Sequence, residues 1–253
     1  MTPGTCDELL ARASWHRSLE NSMNFHQCIL SVHVAFGAIA LVSYWIAALA
    51  RKGSPLHKLA GKTYLLVMLV VLAGALPLSL RILLKRDLVF GGFLLYLLLI
   101  TATVMWQGWF ASRNKRDFAA YAGPAIRRLA WANVLGGVAI AALGLFAAQP
   151  VLIGFSLVGL LNGRSMLRLL RSGPAHPRWW LQEHLGAMLG CGVATHIAFL
   201  QIGLPKLLPQ FSASGSLHLV AWLGPLAVAA LARWWLGRKY LPQRNAAGAA
   251  QVA

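Results

Sequence analysis

The chain has 253 residues, of which 58% are hydrophobic and only 11% are charged. A soluble domain carries about 25% charged residues, so the polar surface needed to wrap a water-soluble globule is missing, and a soluble enzyme and a disordered chain are both excluded. The 23 Lys and Arg against 6 Asp and Glu give a charge of +17; in so apolar a chain this says which membrane face holds the cations, and it is no sign of a nucleic-acid partner.

Residues 1–25 contain no apolar core of a cleavable signal peptide. Thr5-Cys6-Asp7-Glu8 has the form of a capping box and opens a short amphipathic stretch, Leu9 to Leu19, expected to form an extracytoplasmic surface helix. A membrane domain is expected over 26–240. Crossing the hydrocarbon takes roughly 20 apolar residues, and the hydropathy pattern predicts spans at 28–50, 63–80, 88–111, 129–148, 151–170, 179–203 and 216–236. The fifth is the weakest, because its apolar run ends at Leu161 and Asn162-Gly163-Arg164 follows. The sixth contains Glu183, His184 and His196. Residues 241–253 read as a disordered cytoplasmic tail. The expected fold is an all-α, polytopic bundle of seven transmembrane helices.

Positive loops are retained in the cytoplasm. With seven spans, 17 of the 23 Lys and Arg fall on one side, in the 51–62 and 112–128 loops, at Arg164 to Arg178, and from Arg233 onward. The predicted orientation is therefore N-terminus outside and C-terminus inside, in a bacterial inner membrane. Trp131, Trp179, Trp180, Trp234, Trp235 and Tyr240 fall near the inner interface, where amphipathic rings settle. The cytoplasmic cations are expected to attract anionic lipid. Gly186-x-x-x-Gly190 and Gly136-Gly137 are spacings that allow close helix contact. Cys6, Cys28 and Cys191 form no C-x-x-C pair, so neither a zinc ribbon nor a redox dithiol is indicated.

Ionisable groups within spans are costly and mark candidate function. The seven-span layout sorts the histidines by depth: His26, His33, His196 and His218 toward the outside, His57 and His184 toward the inside. Imidazole ligates haem iron, copper and zinc. Depth permits two bis-histidine pairs, His33 with His196 and His57 with His184. The 12 residues between His184 and His196 place them about 120° apart around the helix, so one haem is easier to build than two. A zinc reading takes His33, His196 and His218 with an open position for water, but no carboxylate is expected at that depth to act as base. In a third reading Asn162 and Arg164 mark a broken span and line a cavity with Gln107 and Asn133. Against that stands a short helix ending at the interface, with Arg164 snorkelling toward lipid phosphates.

Two segments carry a resemblance: His33-x-x-x-Gly37, leading into Ser54-Pro55-Leu56-His57-Lys58-Leu59-Ala60-Gly61-Lys62-x-Tyr64, and Trp180-x-x-x-His184-x-x-x-Met188. Together they resemble a bacterial predicted-membrane-protein family catalogued only as a domain of unknown function, over roughly residues 28–203. The resemblance implies that His33, His57 and His184 matter, and implies no reaction. His196 falls where that pattern has a small or hydroxyl residue. The leading expectation is a protein that binds b-type haem through its histidines and either transfers electrons or reduces a lipid-soluble substrate. The alternatives are a small-molecule or lipid transporter with a His-lined cavity, a zinc-dependent intramembrane hydrolase, and a non-catalytic assembly subunit with a membrane-protein partner or a second copy of itself. No residue is marked as catalytic.

Overall fold

The computed structural model describes the backbone of residues 3–208 and 215–241, and the side chains of 24–201, 203–205, 207–208 and 218–241. Every regular element among the described residues is helical. In chain order these are α1 (Pro3–Leu49), α2 (Pro55–Leu84), α3 (Leu88–Arg113), the short α4 (Phe118–Tyr121), α5 (Pro124–Phe146), α6 (Pro150–Ser172), α7 (Trp179–Ala198), a π-helical turn (Phe199–Gly203), α8 (Leu204–Leu207) and α9 (Gly215–Tyr240). Among the described residues six helices are long and apolar enough to cross a membrane: Asn24–Leu49 within α1, α2, α3, α5, α6, and His218–Tyr240 within α9. In lipid every backbone polar group must be satisfied internally, which a helix does alone. The chain is a multi-pass, all-helical membrane protein.

Two expectations about local structure change. The surface helix predicted at Leu9–Leu19 and the first span are one uninterrupted helix, which starts at Pro3, ahead of the Thr5 capping box. The break that Asn162-Gly163-Arg164 would mark in the broken-span reading is absent, because α6 runs unbroken to Ser172. Gly163 lowers helix propensity, but packing decides: a Cβ there would lie 2.6 Å from the Ala130 carbonyl oxygen. The residue that reads as a breaker is the one that lets two helices touch. The predicted tail, apart from Leu241, lies outside the described residues.

The chain divides into two compact units, Met1–Ile82 and Leu83–Ala253. In the first, α1 and α2 form an antiparallel pair. Tyr44 and Tyr64 meet with ring centroids 5.5 Å apart, and Ala40, Ala60, Tyr64, Val67 and Met68 are buried. Lys52 closes the end of α1 by donating to the carbonyls of Ala47 and Ala48, which a helix C-terminus leaves without partners. Burial of that ammonium lowers its pKa.

In the second unit α5 and α6 pack most closely. Gly137 and Gly144 of α5 and Gly163 of α6 each occupy a point where a Cβ would press on the neighbouring helix; at Gly144 it would lie 2.9 Å from Leu152 Cβ. Lipid supplies no hydrophobic drive for helix association, so such small-residue seams carry the packing. Gly136 turns instead toward Tyr96 and Leu99 of α3. One apolar cluster gathers Phe93, Tyr96, Ile140, Phe155, Ile197 and Trp222. A second, further along α3, gathers Ala111, Tyr121, Ile126, Ala130, Met166 and Trp179. The buried polar residues Thr103 and Gln107 lie between them along α3.

Two alanine substitutions on α6 separate packing from propensity. Gly163→Ala destabilises by about 1–3 kcal/mol through overpacking, whereas Gly154→Ala, with nothing within 4 Å of the new Cβ, stabilises by roughly 0.5–1 kcal/mol. Thermal unfolding of the detergent-solubilised protein measures both.

Candidate functional site

Four imidazoles share one arrangement. His33 Nδ1 lies 2.9 Å from the Val71 carbonyl oxygen, His57 Nδ1 2.9 Å from that of Ala47, His184 Nδ1 3.0 Å from that of Gly108, and His196 Nδ1 2.7 Å from that of Gly192. A carbonyl oxygen only accepts, so each Nδ1 carries the proton and donates. In the neutral ring the lone pair is then on Nε2. This is how ligating histidines are oriented: a backbone carbonyl holds one ring nitrogen and sets the other as the ligand atom. All four rings are half-buried.

The anchors differ in reach. In the first unit His33 and His57 tie α1 to α2 in both directions. Their anchors on α1, His33 itself and Ala47, are 14 residues apart, about 21 Å along the axis. In the second unit His184 crosses from α7 to α3, while His196 bonds back four residues on its own helix. These two are 12 residues apart, about 18 Å. Gly108 makes the His184 bond possible, since a Cβ there would collide with Met188 and lie 3.0 Å from Ala187 Cβ.

Beside His184 is a polar cluster built around Glu183. Gln107 Nε2 donates to Glu183 Oε2 at 2.6 Å, and the Tyr121 hydroxyl donates to the same oxygen at 3.3 Å. Tyr121 is held by α4, whose N-cap Asp117 accepts from the Ala120 N–H at 2.8 Å. Its ring packs on Trp179 with centroids 4.8 Å apart. Gly186 leaves room for the Arg233 guanidinium, which would collide with any Cβ there and acts electrostatically on Glu183. Burial first, then the Glu183 charge, push the Tyr121 phenol well above its ordinary pKa of 10.0, so it is a hydrogen-bond donor at neutral pH.

The sequence pointed to Glu183 only as a neighbour of His184. Adjacent residues of a helix point about 100° apart, and the two side chains go to different partners. One usable signal was present: after residue 82 the acids are Asp87, Asp117 and Glu183, and the first two are spent as N-caps. Only the third is left within the bundle.

The other predicted residues divide. Asn133, fully buried, donates to Thr103 Oγ1 at 2.7 Å and to the Leu129 carbonyl at 2.9 Å. Gln107 and Asn133 are therefore enclosed, and Arg164 instead lines an open groove with Val134, Leu160 and Leu161. Asn162 Nδ2 lies 3.5 Å from Met166 Sδ of its own helix. His218 Nε2 accepts from the Trp222 indole at 3.1 Å, an arrangement unlike the other four. Among the described residues no group of three or more His, Cys, Asp and Glu converges as a metal site. Comparison with protein-family models, curated proteins and solved structures finds no match to the chain.

Tyr121→Phe tests the cluster through its pH dependence. Below pH 10 the phenol is protonated folded and unfolded, and losing its bond to Glu183 costs about 1–2 kcal/mol. Above pH 10 the unfolded phenol ionises while the folded one holds its proton, so the wild type loses stability as pH rises. The gap between wild type and variant narrows from pH 8 to pH 11 in thermal unfolding.

Proposed function

We propose that the protein is a seven-span inner-membrane protein that holds b-type haem through its histidines and carries electrons to a lipid-soluble acceptor. The observation that carries this reading is the shared anchoring of His33, His57, His184 and His196, each with Nδ1–H on a main-chain carbonyl. The donor set fits haem, since neutral imidazoles serve as axial ligands and need no carboxylate. Within each unit two anchored imidazoles stand about 18–21 Å apart along the helices, too far for both to ligate one iron. His184 and His196 face different sides of α7, so a single haem would meet that helix at one of them. The haem would supply one-electron chemistry. The chain's own part is to fix the tautomer, and through Gly108 to bring the α3 carbonyl within reach of His184.

The seventh span in this proposal is α7. Glu183, His184 and His196 lower its hydropathy, and its 20 residues pack against α3 and α9. The orientation rests on the charge count: 17 of 23 cations are on the face assigned to the cytoplasm.

Protein purified from haem-sufficient cells should show a Soret band and iron content, both lost or shifted in His184→Ala and His57→Ala. A colourless, iron-free wild type overturns the haem reading. Reporter fusions at the two termini should report opposite compartments; the same compartment for both overturns the odd number of spans.

A further inference from the structure

We infer that the groove between α5 and α6 is a binding site for one anionic phospholipid. Leu157, Leu161, Arg164, Arg168 and Arg171 recur on α6 at steps of four, three, four and three residues, which keeps all five within about 40° of one line along the helix. The stripe changes character once: two leucines, then three arginines. It borders an open groove of about 660 Å³ whose lining includes Val134, Leu161, Arg164, Arg168 and Arg171, within the size range of ligand sites. On α5 the groove is lined by Val134, and the nearby Leu135 and Val138 are exposed. An acyl chain against leucine and valine, with its headgroup among arginines, has the polarity profile of this face.

Charge complementarity commits the site to an anion. Arg164 stands 14 residues into α6, about 21 Å along a membrane-spanning helix, where an unpaired guanidinium is costly. The second unit has no acid to offer it, since Asp87 and Asp117 cap helices and Glu183 is held by Gln107 and Tyr121. Several other cations of the second unit are engaged: Lys115 lies over Trp180 and Arg238 over Trp234, and Arg178 donates to the Tyr240 carbonyl. Arg164, Arg168 and Arg171 have no protein acceptor among the described residues. A phosphodiester at this depth answers all three, because guanidinium binds phosphate bidentately, and basic clefts between membrane helices hold such headgroups. On the proposed orientation the lipid is in the inner leaflet. The inference stands whether or not the chain holds haem.

Native mass spectrometry of the detergent-solubilised full-length protein tests it, with dioleoyl-phosphatidylglycerol, dioleoyl-phosphatidylcholine and inorganic phosphate as probes. The wild type should retain one phosphatidylglycerol about tenfold or more over phosphatidylcholine, at about 1 kcal/mol per cation. R164Q/R168Q/R171Q should abolish that preference, while R113Q/R116Q/R127Q, which removes as many charges from the same helix ends, should keep it. Val134→Trp, which fills the groove and leaves every arginine, should also lose it. Arg168→Gln alone should weaken retention about fivefold and serves if the triple variant fails to fold. Equal retention of both lipids, equal loss in the two triple variants, or displacement of the lipid by inorganic phosphate would overturn the proposal.

Discussion

Lipid offers a polar side chain no hydrogen-bond partner, so every donor within the bundle must find an acceptor in the protein. The hydroxyls meet this constraint locally: Ser43, Ser79, Thr103 and Thr195 each donate to the carbonyl four residues back on their own helix. The imidazoles meet it with Nδ1. Three of them reach carbonyls on a neighbouring helix or the far end of a helix pair. Each such bond fixes the neutral ring's proton on Nδ1.

The same constraint explains why glycine rather than a larger apolar residue sits at the contacts that matter. At Gly108 the carbonyl receives His184, and at Gly159 the main-chain N–H donates to the Tyr96 hydroxyl at 3.0 Å, which in turn donates to the Phe155 carbonyl at 3.0 Å. In each case a side chain would block the approach that satisfies a buried polar group. The polar layer along α3 is less complete. Gln107 Oε1 and Asn133 Oδ1 have no donor among the described residues, and an acceptor left so in a low dielectric is expensive. Gln107 on α3 and Asn133 on α5, which donates to Thr103, lie between the two apolar clusters of the second unit.

Hydropathy made the helices legible in the sequence, and their loops follow. It misled where a residue's local preference opposed its tertiary role. Asn162-Gly163-Arg164 reads as a break because propensity sees a glycine between two polar residues, yet Ala130 on the facing helix needs that glycine to have no side chain. The separate N-terminal helix failed for the converse reason: the Thr5 capping box is real as a pattern, but nothing between it and the first span stops a helix. The four anchored histidines were legible individually from depth and spacing. Their shared anchoring was not, since the acceptors Val71, Ala47, Gly108 and Gly192 are main-chain atoms of residues with no chemical signature. Tyr121 was missed because it stands in a loop by pattern, and only the capped turn at Asp117 delivers it to Glu183.

Two histidines show what purely internal bonding looks like here. His176 Nδ1 accepts from the Arg178 N–H at 3.1 Å while its Nε2 lies 3.1 Å from Gln182 Oε1, so the Gln182 oxygen receives the ring proton. His218 turns Nε2 to the Trp222 indole. In both the lone-pair nitrogen is consumed by a donor on the same or an adjoining segment. In His33 and His57 the lone-pair nitrogen has no such donor among the described residues, and the protonated one is held by the chain. A leucine at His33 would cross lipid at less cost than an imidazole. At His33 that cost is met by a ring whose protonated nitrogen ties α1 to α2.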